Sequence, residues 1–362
     1  MSVTQIDELA RHDSHEAEGR YRRQIGIWLL VCCAMIFGMV VLGGVTRLTG
    51  SGLSMVEWDP VFGIVPPLNE AQWEEVFTKY RQSPEYQKIN THMDLAGFKR
   101  IFLVEYAHRV LGRTIGIVFL VPLIFFMVTR RIPPGLAPKL ITLFVLGGLQ
   151  GLLGWYMVKS GLVDNPHVSP YRLTAHLMLA VALYGYMFWV ALGLLTEGHP
   201  RPGPLLLRMA SGGLVALIFI TMTSGGLVAG LKAGYAFNTF PLMNGHWIPS
   251  GLLAKDPWYL NLFENIATVQ FDHRVLATAV FLSVVLLWLS GRRYPLPRGA
   301  RLSLNALLLM AVLQIGLGIS TLLLVVPVPL ASAHQAGALV LFTLSLLSLH
   351  RLGGRTRPVP GS

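Results

Sequence analysis

The sequence is poor in charge and almost without cysteine. Asp, Glu, Lys and Arg make up 13% of its 362 residues, against 53% hydrophobic. A soluble domain of this length rarely carries so little charge, which argues against a soluble enzyme or binding module. The two cysteines, Cys32 and Cys33, are adjacent and lie inside an apolar run. Neighbouring cysteines make poor disulfides, so they read as small apolar core residues. Residues 1–24 lack a short apolar core and a small-residue cleavage site, and they carry Asp7, Glu8, Asp13, Glu16 and Glu18. No cleavable signal is therefore expected there. The net charge of +11 comes without any nucleic-acid-binding motif. The excess sits in short loops between apolar runs, where membrane topology puts it, so no nucleic-acid partner is expected.

What the chain does have is long apolar runs, with a mean hydropathy of +0.56. Eight approach the roughly 20 residues that cross a bilayer core: 25–43, 104–128, 140–158, 171–195, 209–230, 266–289, 303–326 and 331–350. The expectation is an all-α polytopic membrane protein. Two longer polar segments, 44–103 and 231–265, interrupt the short connections. One set of loops holds Arg20, Arg22, Arg23, Arg130, Arg131, Lys139, Arg201, Arg208, Arg292, Arg293, Arg298, Arg301, Arg351, Arg355 and Arg357. The other short loops hold only Lys159, Arg172, Lys232 and Lys255. The imbalance predicts that both termini are cytoplasmic and that the two long loops face the periplasm or its equivalent, as in a multi-pass protein of the inner membrane.

The halves repeat. EYAHRVLGR at 105–113 echoes QFDHRVLAT at 270–278, Leu149-Gln150 echoes Leu313-Gln314, and His176 echoes His334. Four spans per half predict two tandem copies with the same orientation. The division is a four-helix bundle over 25–200 with outer loop 44–103, and another over 201–350 with outer loop 231–265. Polar tails cover 1–24 and 351–362.

Of eleven histidines, four lie well inside predicted spans: His108, His176, His273 and His334. They fall on spans two, four, six and eight, all entering from the outer side, and each lies near the start of its span. Ionisable groups at membrane depth are functional by default. A lone histidine more often bonds a neighbouring helix, but four at one level, two per repeat, point elsewhere. Two facing imidazoles per bundle suit a six-coordinate haem. Zinc would want three or four ligands, with Cys, Asp or Glu among them. Gly151, Gly154, Gly316 and Gly318 would let a macrocycle approach backbone, although small-residue helix packing explains them equally. Arg109, Arg113 and Arg274 either pair with haem propionates or snorkel toward headgroups.

The halves are not equivalent. Glu105 lies three residues before His108, on the same helical face; its counterpart is Gln270, which cannot ionise. A carboxyl at this depth suits proton transfer, and an ion pair with Arg109 or Arg113 is the alternative. The asymmetry predicts chemistry on a haem in the first bundle and a permanent, electron-carrying haem in the second. Of the outer segments, GGVTRLTGSGLS at 43–54 reads as turn-rich, either a lid or a connector. Trp58, Trp73 and Trp247 read as interfacial aromatics, and His92, His167 and His246 as solvated or interfacial.

EYAHRVLGR, YRLTAHL, the repeated DHRVLA, His334, GGVTRLTGSGLSMVEW at 43–58 and FNTFPLMNG at 237–245 together resemble the haem A synthase family, over about residues 25–350. Many bacterial members carry a cysteine pair in the first outer loop. Residues 44–103 here contain none, as in the proteobacterial and mitochondrial-like branch. The resemblance implies an oxidoreductase that converts haem O to haem A, oxidising the C8 methyl of the porphyrin to a formyl group through hydroxylation. It implies haem b held by His273 and His334, with haem O near His108 and His176. It makes Glu105 the essential acid, which would deprotonate or position a water if the new oxygen comes from water. A haem O synthase, oxidase assembly factors and an electron partner are implied by the pathway alone; a homo-oligomer stays open. Two rivals remain. A di-haem b-type cytochrome would share the histidines without needing Glu105. A transporter would not place its histidines toward one face.

Overall fold

The computed structural model describes residues 3–57, 65–161, 167–196 and 202–353, without the side chains of 3–15, 160 and 161. Trp58, Arg201, Arg355 and Arg357 lie outside the described residues. Among those described, regular structure is helical, apart from one isolated bridge between Met243 and His246. Eight helices are long and apolar enough to cross a membrane. They are α1 (Val3–Leu48), α4 (Leu95–Val128), α5 (Ala137–Gly161), α6 (Pro170–Leu195), α7 (Leu205–Gly230), α9 (Ile266–Gly291), α10 (Arg298–Leu323) and α11 (Val328–Gly353). All eight match the predicted runs, and the chain is an all-α polytopic membrane protein. In the first half α1 packs on α4 and α6, and α5 on α6 and α4. In the second, α7 packs on α9 and α11, and α10 on both of those. The halves touch where α1 and α6 meet α7 and α11.

The first long polar segment is more ordered than its polarity suggests. Of two short helices, α2 (Glu70–Arg81) and α3 (Pro84–Lys88), α2 rests on α4 and α3 packs against α2. Asn69 caps α2 by accepting from the Gln72 amide, and Ser83 caps α3 with Pro84 at the first helical position, the residue types that helix starts favour. Phe77, Tyr80, Phe98 and Phe102 form a buried cluster joined by Trp73, whose ring meets Phe98 and Phe102 edge-on. Tyr80 donates to Glu85 Oε2 at 3.0 Å and accepts from Asn90 at 2.8 Å. This cap needs a platform, and α4 supplies it. Asp94 accepts from the Gly97 amide at 2.7 Å, so α4 begins at Leu95 rather than at the apolar edge near 104. His108 therefore lies well into its helix and not in its first two turns. The short helix α8 (Asn261–Glu264) precedes α9 in the second outer segment, where Asn265 caps α9 through the Ala267 and Thr268 amides.

The stretch read as turn-rich divides in two. Residues 43–48 continue α1, and the turn begins at Thr49. Cys32 and Cys33 are free and buried in the core. His92, His167 and His246 are exposed, as is Trp247.

Candidate functional site

Each half presents the same construction around its two histidines. His108 on α4 and His273 on α9 face glycines of the preceding span. A Cβ added at Gly43 would lie 3.2 Å from His108 Nε2, and one at Gly225 would lie 3.1 Å from His273 Cε1. His176 on α6 and His334 on α11 face Gly154 and Gly318, where an added Cβ would stand 2.9 Å from Cε1 of each ring. So four imidazoles each lie against a glycine backbone, twice over in repeat-equivalent positions. The two rings of each half lie near one another: His108 with His176, and His273 with His334. Among the described residues, no group of three or more His, Cys, Asp or Glu could hold a bare metal ion.

A glutamine attends one histidine in each half. Gln150 Nε2 donates to the His176 carbonyl at 3.0 Å, and Gln314 Nε2 to the His334 carbonyl at 2.9 Å. The same amides lie 3.4 Å from His176 Nε2 and 3.1 Å from His334 Nδ1. Gln150 Oε1, Gln314 Oε1, His176 Nδ1 and His273 Nδ1 are buried without a hydrogen-bond partner. Buried polar atoms are rarely left so. An imidazole that ligates iron through one nitrogen keeps an N–H on the other and needs an acceptor for it. It is the glutamine Nε2 that now lies nearest each ring, and a turn of the side-chain amide would bring its oxygen to that place. Paired imidazoles and glycine-lined approaches fit a haem in each half. Sequence reading paired Leu149-Gln150 with Leu313-Gln314 but gave the glutamines no role, and it missed Gly43 and Gly225. A polar residue repeated inside an apolar span was the available signal.

Glu105 and Arg109 grip the first long polar segment. Glu105 is 3% exposed. Its Oε2 accepts from Ser54 Oγ at 2.7 Å and from the Met55 amide at 2.9 Å. Its Oε1 accepts from Arg109 Nη2 at 2.6 Å and Nε at 3.1 Å. Arg109 also donates to the carbonyls of Met55 and Glu57. The ion pair left open as an alternative is thus present, and both carboxylate oxygens are engaged. In the second half Arg274 donates to the carbonyls of Phe237 (2.9 Å), Thr239 (2.9 Å) and Leu242 (3.4 Å), and Gln270 Nε2 to that of Phe237 (3.3 Å). In both halves the residue three before the histidine and the one after it hold the outer segment down. Arg109 and Arg274 therefore spend donors on backbone, whatever else they bind. Arg113, one turn after Arg109, is half-buried.

The chain matches the model of a family described as cytochrome oxidase assembly protein, over residues 26–346. It is 56% identical over 334 residues to the Heme A synthase of Nitrosospira multiformis, covering 91% of this chain and 94% of that one. It is 52% identical to the Heme A synthase of Nitrosomonas eutropha, covering 91% and 93%. It is 45% identical to Heme A synthase COX15 of Bos taurus, covering 91% and 82%.

Proposed function

The chain belongs to the haem A synthase family, and we propose that it converts haem O to haem A in a cell inner membrane, with both termini cytoplasmic. The reaction is oxidation of the C8 methyl to a formyl group through hydroxylation. The eight spans form two bundles, and the first takes the substrate: His108 and His176 hold the haem O iron. His273 and His334 would hold a haem b, which when bound supplies one-electron transfer. Arg109, Arg113 and Arg274 are the candidate partners for propionates.

The observation that carries this reading is the repeated histidine–glycine pairing together with a carboxylate three residues before the histidine in the first half only. Glu105 lies one turn before His108, where the second half has the uncharged Gln270. Its anionic form is held by Arg109, Ser54 and the Met55 amide, so its first task is to seat residues 54–57 beside the His108 site. It serves as proton acceptor, or as the group that positions a water, by releasing one of those donors. Glu105→Gln keeps an oxygen for Ser54 and Met55 but removes the charge opposite Arg109. A half-satisfied buried pair costs about 3–5 kcal/mol, so conversion falls at least tenfold; full conversion by this variant would refute the role.

Expression in a host that accumulates haem O, followed by pigment chromatography, tests the whole reading. Haem A in the extract, with haem b on the purified protein, supports it. Haem b alone at two per chain would mean a di-haem electron carrier instead.

A further inference from the structure

Two adjacent glycines on each side of the seam between the halves reach both sites. On α1, Gly43 stands against His108 of its own half, while Gly44 stands against the side-chain amide of Gln335, the neighbour of His334 on α11. On α7, Gly225 stands against His273 of its own half. Gly226 stands against Thr174, two residues before His176 on α6, whose Cγ2 would be 3.0 Å from an added Cβ. Each glycine pair therefore touches a histidine-bearing helix of either half, and the contacts cross in the same sense on both sides. Helical glycine costs about 1 kcal/mol relative to alanine, so four at one seam point to close approach as the reason for them.

The α1 crossing is closed by a bond. Gln335 Nε2 donates to the Val40 carbonyl at 2.6 Å, about one turn before Gly43 and Gly44. The opposite crossing has only contact, with Thr174 Oγ1 buried and without a hydrogen-bond partner. Arg47, one turn after Gly43, also crosses the seam, donating to the Ala229 carbonyl of α7 at 3.1 Å. A close-packed interior transmits small displacements, so what seats α1 here sets how near Gly43 stands to His108.

We infer that Gln335 is a positioning residue for the site of the opposite half: bonded to Val40 and seated on Gly44, it holds the turn of α1 that backs His108. The inference rests on reading His108 and His176 as ligands of the substrate haem. It makes the helix that carries His334 a determinant of haem O binding in the first half.

The test uses purified full-length protein carrying its second-half haem, titrated with haem O and followed by visible and electron paramagnetic resonance spectra. Gln335→Leu keeps the volume and loses the amide. It weakens haem O binding roughly fivefold, the worth of one hydrogen bond, and shifts the g-values of the first-half haem while those of the second-half haem stay. Gly44→Ala displaces Gln335 and does the same. Wild-type spectra and affinity in Gln335→Leu overturn the inference, as does a shift confined to the second-half haem or an equal loss at both sites with falling thermal stability. Wild-type protein that takes up no haem O removes the reading of the first site, and the inference with it.

Discussion

A histidine inside a membrane span is held by what its neighbours leave unsatisfied. Gln314 fixes the His334 backbone through its Nε2, which also lies 3.1 Å from His334 Nδ1. With the amide turned, its oxygen would orient a ligating imidazole and raise its basicity. Gln314→Leu should therefore change the midpoint potential of the second-half haem and weaken its retention about tenfold, the lower end for loss of such a partner. Redox titration of the purified variant checks it; an unchanged potential would make Gln314 a helix-packing residue only. At this scale the sequence told a good deal. The four histidines and the Glu105/Gln270 difference are visible as residues that apolar spans should not contain. The glycines against His108 and His273 were not visible. Gly43 and Gly225 lie far from those histidines in sequence, and a glycine pair in a span reads equally well as helix packing.

Among the elements, the helices of the membrane were legible from apolar length alone, and the outer cap was not. Helices α2 and α3 are polar and short, and their stability comes from the Phe77, Tyr80, Phe98 and Phe102 cluster, which no local pattern reveals. The start of α4 depends on one cap, Asp94, beyond the apolar run. The cap carries a pH dependence. Burial in the cluster pushes the Glu85 carboxyl up to about 7, with Tyr80 as a hydrogen-bond donor opposing the rise and Glu105 adding to it. A carboxyl raised in the folded state favours the fold most below its unfolded pKa near 4.5, and that contribution is lost as pH rises through about 7, worth about 3 kcal/mol at most. Amide exchange across residues 70–90, corrected for its intrinsic pH dependence, should quicken between about pH 4.5 and 7. Glu85→Gln should flatten the change; a cap equally protected at both pH values would contradict this. The turn from α10 to α11 holds Val325 (φ 60) and Val326 (φ 58) in the left-handed region, which is costly for β-branched residues. Val325 is half-exposed, so Val325→Gly should raise thermal stability in detergent by about 1 kcal/mol; a clear loss would mean its side chain packs on lipid or a partner.

The molecule as a whole repeats one plan, and the copies differ most pointedly at Glu105 and Gln270. Both halves place an imidazole from each of two helices against glycine, and both use the arginine after the first histidine to hold an outer segment by its carbonyls. Only the first half has a carboxylate one turn before its first histidine, and there the aromatic cluster packs against Met55 and Val56 of the segment so held. This difference at Glu105 within a duplicated frame supports the proposed division between a half that does chemistry and a half that carries electrons. Its central claim is that each pair of imidazoles shares one haem iron. Near-infrared magnetic circular dichroism of the purified ferric protein reads axial ligation directly. The account predicts bis-imidazole ligation of the resident haem, abolished alike in His273→Ala and His334→Ala. Ligation that survives unchanged in both variants would contradict it.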